Sequence, residues 1–349
     1  MFLYFLIMLV IAFFGCNEKY KKIKFYLSLS VLFALMALKS ENVGNDTHNY
    51  VEFFYRLKYI DDYIDQFSRF EIGYQLYVKV IGMLFDNVQF LFIITAIICI
   101  GAITYMIKKL SLNWLYSLFL FIGLRFYYFF LSGLRQSIAV SIVCVSFMFY
   151  LENKRKVFYI LILLASLFHF SALIFLLTPV LIKIKVNKNL IIKFLLALFV
   201  CYFSFNQILG GFLYLLPSYY SHYLDTKAAG VNNIGNFIGA IIPICFVLIA
   251  LSEKIKDKLK YYDIYIVFLL IASAISFLAT RASILDRFVQ YFWIFSIISI
   301  TNIIFSFNDK IKRSIVYILT TVIVIVYNLT LLYFRPEWHH IVPYMFFFQ

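Results

Sequence analysis

Apolar runs recur along the whole chain, at 2–15, 25–38, 88–107, 112–131, 133–151, 157–182, 190–206, 235–252, 262–279, 288–306 and 314–333. Hydrocarbon offers no water to satisfy backbone groups, so a segment that crosses it must be a helix or part of a closed barrel. These runs are continuous rather than alternating, which excludes a barrel and predicts helices. With 64% hydrophobic and 14% charged residues, little is left from which to build a soluble domain. The expected fold is all-α: one transmembrane domain over residues 1–349. It has about 10–12 transmembrane helices by run length.

The net charge of +14 does not point to nucleic acid. The lysines are scattered over short loops between runs, where basic residues set topology. The basic loops 16–24, 108–111, 152–156, 253–261 and 307–313 are therefore expected on the cytoplasmic side. Segments 39–87, 207–234, 280–287 and 334–349 are expected outside, with the N-terminus. The five cysteines lie in or beside apolar runs without a C-x-x-C pair and read as small hydrophobes. Cys16 follows the first run, but Phe13 and Phe14 stand where a lipoprotein signal wants small residues, so 2–15 is read as a span.

The run 157–182 breaks the alternation of sides, because both its ends look cytoplasmic. Its midpoint holds His169 and Ser171, which predicts a helical hairpin broken near His169, either packed inside protein or re-entrant. Segment 71–85 is apolar but short, and predicts an interfacial or partly embedded helix. Residues 47–66 predict an amphipathic helix that Asp46 or Thr47 caps.

Lysine and arginine segregate across this topology. Eighteen lysines fall inside and four outside, whereas Arg56, Arg69, Arg125, Arg135, Arg281, Arg287 and Arg335 fall outside and only Arg155 and Arg313 inside. Topology does not distinguish the two residue types. A guanidinium forks onto phosphate oxygens in pairs, so a cluster at the outer ends of spans suits a phosphorylated lipid head group. Snorkelling to head groups and pairing with carboxylates are the plainer roles. Arg125, Arg135, Arg281 and Arg287 are the sharpest candidates, because they flank or enter spans.

Several segments, in order, resemble the EpsG family, within the Wzy-type polysaccharide polymerases. They are "GNDTHNYVEFFYRL" (Gly44–Leu57), "RFEIGYQLYVKVIG" (Arg69–Gly82), "SGLRQSIAVSI" (Ser132–Ile142) and "YILILLASLFHFSALIFLL" (Tyr159–Leu177). Beyond residue 190 the likeness is one of span pattern and outer arginines. The resemblance implies glycosyl transfer on the outer face of a bacterial plasma membrane. Donor and acceptor would both be oligosaccharides on undecaprenyl pyrophosphate. A flippase and a chain-length regulator would be its partners, beside the membrane lipid.

Such a reaction needs cations for the leaving pyrophosphate and a group that accepts the attacking hydroxyl's proton. The arginines meet the first need without a metal or other cofactor. Asp61–Asp62 read as a solvated helix face rather than a metal site. Candidates for the second are Asp46, His48, Glu71, His169, Asp286, Glu337, His339 and His340, of which the resemblance favours Asp46, Glu71 and His169. Each has a plainer role beside it: helix cap for Asp46, ion-pair partner for Glu71, helix-breaking hydrogen bond for His169. Asp286 reads as a salt-bridge partner that orients an arginine. Outer tyrosines such as Tyr50, Tyr74 and Tyr223 read mainly as an interfacial belt, and Leu216–Asn233 as a glycan-reading or mobile outer loop. A flippase for the same lipid, and a ligase or acyltransferase, are the competing functions.

Overall fold

The computed structural model describes residues 1–16, 20–58, 70–207, 234–253 and 255–349. In chain order the helices are α1 (Phe2–Cys16), α2 (Lys21–Ala37), α3 (Thr47–Lys58), α4 (Ile72–Leu84), α5 (Gln89–Leu110), α6 (Trp114–Gly123), α7 (Phe126–Ser132) and α8 (Leu134–Leu151). They continue as α9 (Arg155–Ser166), α10 (Thr178–Leu181), α11 (Lys188–Phe203), α12 (Ile234–Ser252), α13 (Tyr262–Ala279), α14 (Asp286–Trp293), α15 (Ser296–Phe305) and α16 (Lys310–Phe334). The fold is all-α and polytopic, as the apolar runs predict.

Six helical stretches are long and apolar enough to cross a membrane, or seven if the pair α6–α7, bent by 58°, counts as one. The runs at 2–15, 25–38 and 190–206 are helices of 15, 17 and 16 residues. These shorter helices account for much of the difference from the expected ten to twelve.

Side-chain caps mark several helix starts. Asn113 accepts from Tyr116 N at 3.1 Å, Asn187 from Leu190 N at 2.8 Å, and Asp309 from Ile311 N at 2.8 Å. Each side-chain oxygen satisfies an N–H that the helix itself cannot.

The chain packs as two compact units, Met1–Leu173 with Asp309–Gln349, and Ile174–Asn308. In the first, α8 lies between α5 and α9, α5 also packs on α2, and α1 packs on α6 and α16. Only 28% of the apolar window of α16 is buried. In the second unit, α13 is central, with α12, α14 and α11 against it. Phe175, Phe268, Phe292 and Phe295 form its aromatic core, with ring centroids 5.1–5.7 Å apart.

The break expected near His169 is present. α9 stops at Ser166, and a 3₁₀ helix from Phe170 to Leu177 follows. Helix α4 docks on this break: Gly73 N donates to Leu167 O at 2.9 Å. A side chain at Gly73 would bring its Cβ within 2.6 Å of Leu167 Cβ, so only glycine permits the approach.

Candidate functional site

Five of the seven residues singled out from sequence lie in the first unit: Asp46, Glu71, Arg125, Arg135 and His169. The clearest association is an ion pair between Arg135 in the first turn of α8 and Glu71 immediately before α4. Glu71 occupies the N-cap position of α4 without a capping bond from its side chain. Its carboxylate is directed at Arg135 instead. Arg135 is also electrostatically close to the Tyr50 hydroxyl of α3 and lies over the Phe70 ring at 4.6 Å. Tyr50, Phe53, Phe70 and Tyr74 pack edge to face around it, with the closest centroids 4.5 Å apart. Burial raises the Tyr50 phenol to about 12, against the pull of Arg135, so it stays neutral. Two polar atoms here are buried and unpartnered, Arg135 Nε and Tyr74 Oη.

A second feature is the loop from Lys39 to Thr47. Lys39 is fully buried. Its ammonium donates to Val43 O at 3.0 Å, to Thr47 Oγ1 at 2.7 Å and to Leu131 O, which matches its three N–H donors. Burial pulls the ammonium down to about 7, and the charge of Asp46 opposes that shift. Gly44 takes φ 106°, and a Cβ there would meet Leu131 O at 2.7 Å. Asp46 stands exposed just before α3, at the expected capping position, and is electrostatically close to Lys39 and Tyr50. The tail after α16 closes over this loop. Gly44 N bonds His340 O at 2.8 Å, Ser40 N bonds Met345 O at 2.9 Å and Asn45 Nδ2 bonds Trp338 O at 2.9 Å.

Arg125 sits at the bend between α6 and α7, in the left-handed region with φ 71°. A residue with a Cβ adopts that conformation only where its surroundings hold it. Asn328 of α16 supplies part of that hold. It is fully buried, donates to Ile122 O at 3.3 Å and Gly123 O at 3.4 Å, and accepts from Tyr128 Oη at 3.0 Å. The carbonyls freed by the bend are thereby satisfied. Arg125 is only 7% exposed, and its guanidinium lies over the Trp338 ring at 5.2 Å.

His169 is buried at the break after α9. Its Nδ1 meets Ser171 Oγ at 2.5 Å, its N–H bonds Ala165 O at 3.0 Å, and its carbonyl accepts from Ala172 N at 3.0 Å. The helix-breaking hydrogen bond is thus real, and it fixes the imidazole.

The remaining two arginines belong to the second unit. Arg281 lies over Tyr202 at 5.2 Å and donates to Asn206 Oδ1 at 3.3 Å. Arg287 is exposed on α14. Asp286, expected to orient an arginine, is instead close to Asn236. Arg69, Asp61–Asp62, Tyr223 and the whole Leu216–Asn233 loop lie outside the described residues. No three His, Cys, Asp or Glu side chains cluster among the described residues.

A sequence model of the EpsG family matches residues 22–346, which takes in all seven candidate site residues. The chain belongs to the EpsG family. No curated protein and no solved structure matches it. EpsG membership supports a multi-pass membrane protein of polysaccharide biosynthesis, a polymerase in general terms. The match includes Arg281 and Arg287 of the second unit as well as the Arg135–Glu71 pair.

In this EpsG-family chain, sequence reasoning counted Lys39 only as an outer lysine and Trp338 not at all. A signal for Lys39 was there: it closes an apolar run and stands beside the glycine- and asparagine-rich "SENVGND". Nothing local announces Trp338, whose partners Asn45 and Arg125 are distant in sequence.

Proposed function

We propose that the protein polymerises oligosaccharide repeat units carried on undecaprenyl pyrophosphate, at the outer face of the bacterial plasma membrane. The non-reducing hydroxyl of an acceptor unit attacks the anomeric carbon of the donor glycan. The new C–O bond forms as the bond to the diphosphate breaks, and the diphosphate leaves with the electron pair. The hydroxyl's proton goes to a carboxylate.

The observation that carries this reading is the Arg135–Glu71–Tyr50 cluster. Glu71 is held by a guanidinium beside an aromatic wall, as a base that meets a sugar hydroxyl needs to be. Apolar faces of sugars stack on rings such as Phe70 and Tyr50. Asp46 and His169 are the alternative proton acceptors. The charge pattern at the span ends assigns Arg125, Arg135, Arg281 and Arg287 to the diphosphate. The chemistry is metal-independent on this reading, since preorganised guanidinium groups stabilise the departing charge. The outer-face orientation rests on the segregation of arginine from lysine.

The test is reconstitution of the full chain in liposomes with one purified lipid-linked repeat. A ladder of products from that single substrate supports polymerisation. Movement of the intact lipid between leaflets without a ladder indicates a flippase, and transfer to an unrelated acceptor alone indicates a ligase. Glu71→Gln should abolish the ladder, whereas Asp46→Asn or His169→Gln doing so alone would move the base.

A further inference from the structure

The two arginines of the first unit differ in one respect that the charge pattern conceals. Arg135 has a carboxylate, Glu71. Among the described residues Arg125 has none: the groups acting on it electrostatically are the phenols of Tyr327 and Tyr128 and the imidazole of His339. Glu337, the nearby acid of the tail, is paired with Arg335 at 3.6 Å and both are exposed. Arg125 Nε and Nη1 are buried and have no hydrogen-bond partner among the described residues. A buried guanidinium with open N–H groups and no counter-ion is strongly unfavourable unless an anion completes it.

We infer that Arg125, walled by Trp338 and His339 of the tail, is the docking point for the diphosphate, while Arg135 is committed to positioning Glu71. This division rests on the polymerase reading above. The two arginines flank α7, whose seven residues span about 10 Å at 1.5 Å per residue. That spacing separates an anion subsite at one end of α7 from a proton-accepting subsite at the other. The wall suits an anion. Burial and then the charge of Arg125 keep the His339 imidazole at about 3, so it is neutral and offers an N–H without a competing charge. Trp338 lies against the guanidinium at 5.2 Å, and Nε and Nη1 are the donors left for phosphate oxygens. The wall is also tied to the rest of the site. Trp338 O accepts from Asn45 Nδ2, and Asn45 N bonds Ser132 Oγ at 3.0 Å, at the far end of α7.

Trp338 provides the readout. Trp114 and Trp293 are changed to phenylalanine in the full chain, which leaves Trp338 as its one indole. Inorganic pyrophosphate, inorganic phosphate and farnesyl diphosphate are titrated against its fluorescence in nanodiscs of zwitterionic lipid. A saturable change is expected with pyrophosphate and farnesyl diphosphate. It should survive Arg135→Gln and weaken at least tenfold in Arg125→Gln and in Arg125→Lys, which keeps the charge but not the fork. Thermal melts check that each variant is folded; if Arg125→Gln is not, Arg125→Lys decides. An unchanged titration in Arg125→Lys, a loss confined to Arg135→Gln, or no response in the parent overturns the assignment. The same Arg125-dependent change on adding phosphatidylglycerol without pyrophosphate also overturns it, in favour of a bulk lipid head group. A parent that builds ladders but shows no Trp338 response defeats this subsite and leaves the polymerase reading intact. A parent that responds but builds no ladder does the reverse.

Discussion

Arg135 and Glu71 are 64 residues apart in sequence and joined by an ion pair between the first turn of α8 and the threshold of α4. The pair is partly buried, with 21% and 24% of the two side chains exposed. It therefore serves more to fix a geometry than to hold the unit together, because desolvation offsets much of the attraction. Tyr50 and Phe70 complete the fixation from the other sides of the guanidinium.

The first prediction concerns that geometry. Arg135→Lys keeps the charge and loses the planar guanidinium that meets Glu71 beside Tyr50 and Phe70. Polymer made from purified repeats should fall about 100-fold, while single repeats still reach the cell surface. Polymer ladders like those of the unaltered chain would remove Arg135 from the mechanism.

The contact of α4 with the His169 break is tested by one methyl group. Gly73→Ala forces a Cβ against Leu167, so thermal stability in detergent should drop by about 1–3 kcal/mol. Gly101→Ala is the matched control. It lies in mid-α5 with nothing within 4 Å of its Cβ, and alanine there should be neutral or stabilising by up to about 1 kcal/mol. Equal melting temperatures for both variants would mean that α4 is not seated on Leu167.

Lys39 gives a pH signature. Its folded value of about 7 lies below that of an unfolded lysine, about 10.4. Between those values the unfolded chain binds more protons, so stability rises with pH, by at most about 1.4 kcal/mol per unit. Lys39→Met has no such group. The melting-temperature difference between the unaltered chain and Lys39→Met should shift in favour of the unaltered chain from pH 7 to pH 10, and be flat from pH 5 to pH 6. A flat difference throughout means that the three acceptors keep the ammonium charged.

Asn328 holds the bend that presents Arg125. Asn328→Ala removes donors to Ile122 O and Gly123 O and the acceptor for Tyr128. Buried groups left unpaired cost about 1–3 kcal/mol, read as a lower melting temperature. Pyrophosphate response at Trp338 should weaken in the same variant, and an unaltered response would separate the bend from anion binding.

The elements of the fold are legible in this sequence for a simple reason. Period and length of apolar runs report helices directly, so α5, α8, α13 and α16 follow from composition alone, and the polar pair His169–Ser171 inside an apolar run marks its break. The site was legible only in residue type. Arginine at span ends singled out Arg125 and Arg135, but no pattern says that one has a carboxylate and the other does not. That distinction depends on which helices pack together. Asp286 illustrates the limit: its neighbour in sequence is Arg287, yet it lies close to Asn236. A helix turns adjacent residues about 100° apart, so sequence neighbours rarely meet.

The bond from Asn45 to Trp338 spans 293 residues, and it has a consequence for biogenesis. A chain emerging from the ribosome makes the stretch around Asp46 early and waits through the insertion of every later helix for the strap that covers it. Truncated translation products would then lack a seated Asp46 and a walled Arg125, however well their early helices were inserted. On the polymerase reading, reactivity would in this way be withheld until α16 is in the bilayer.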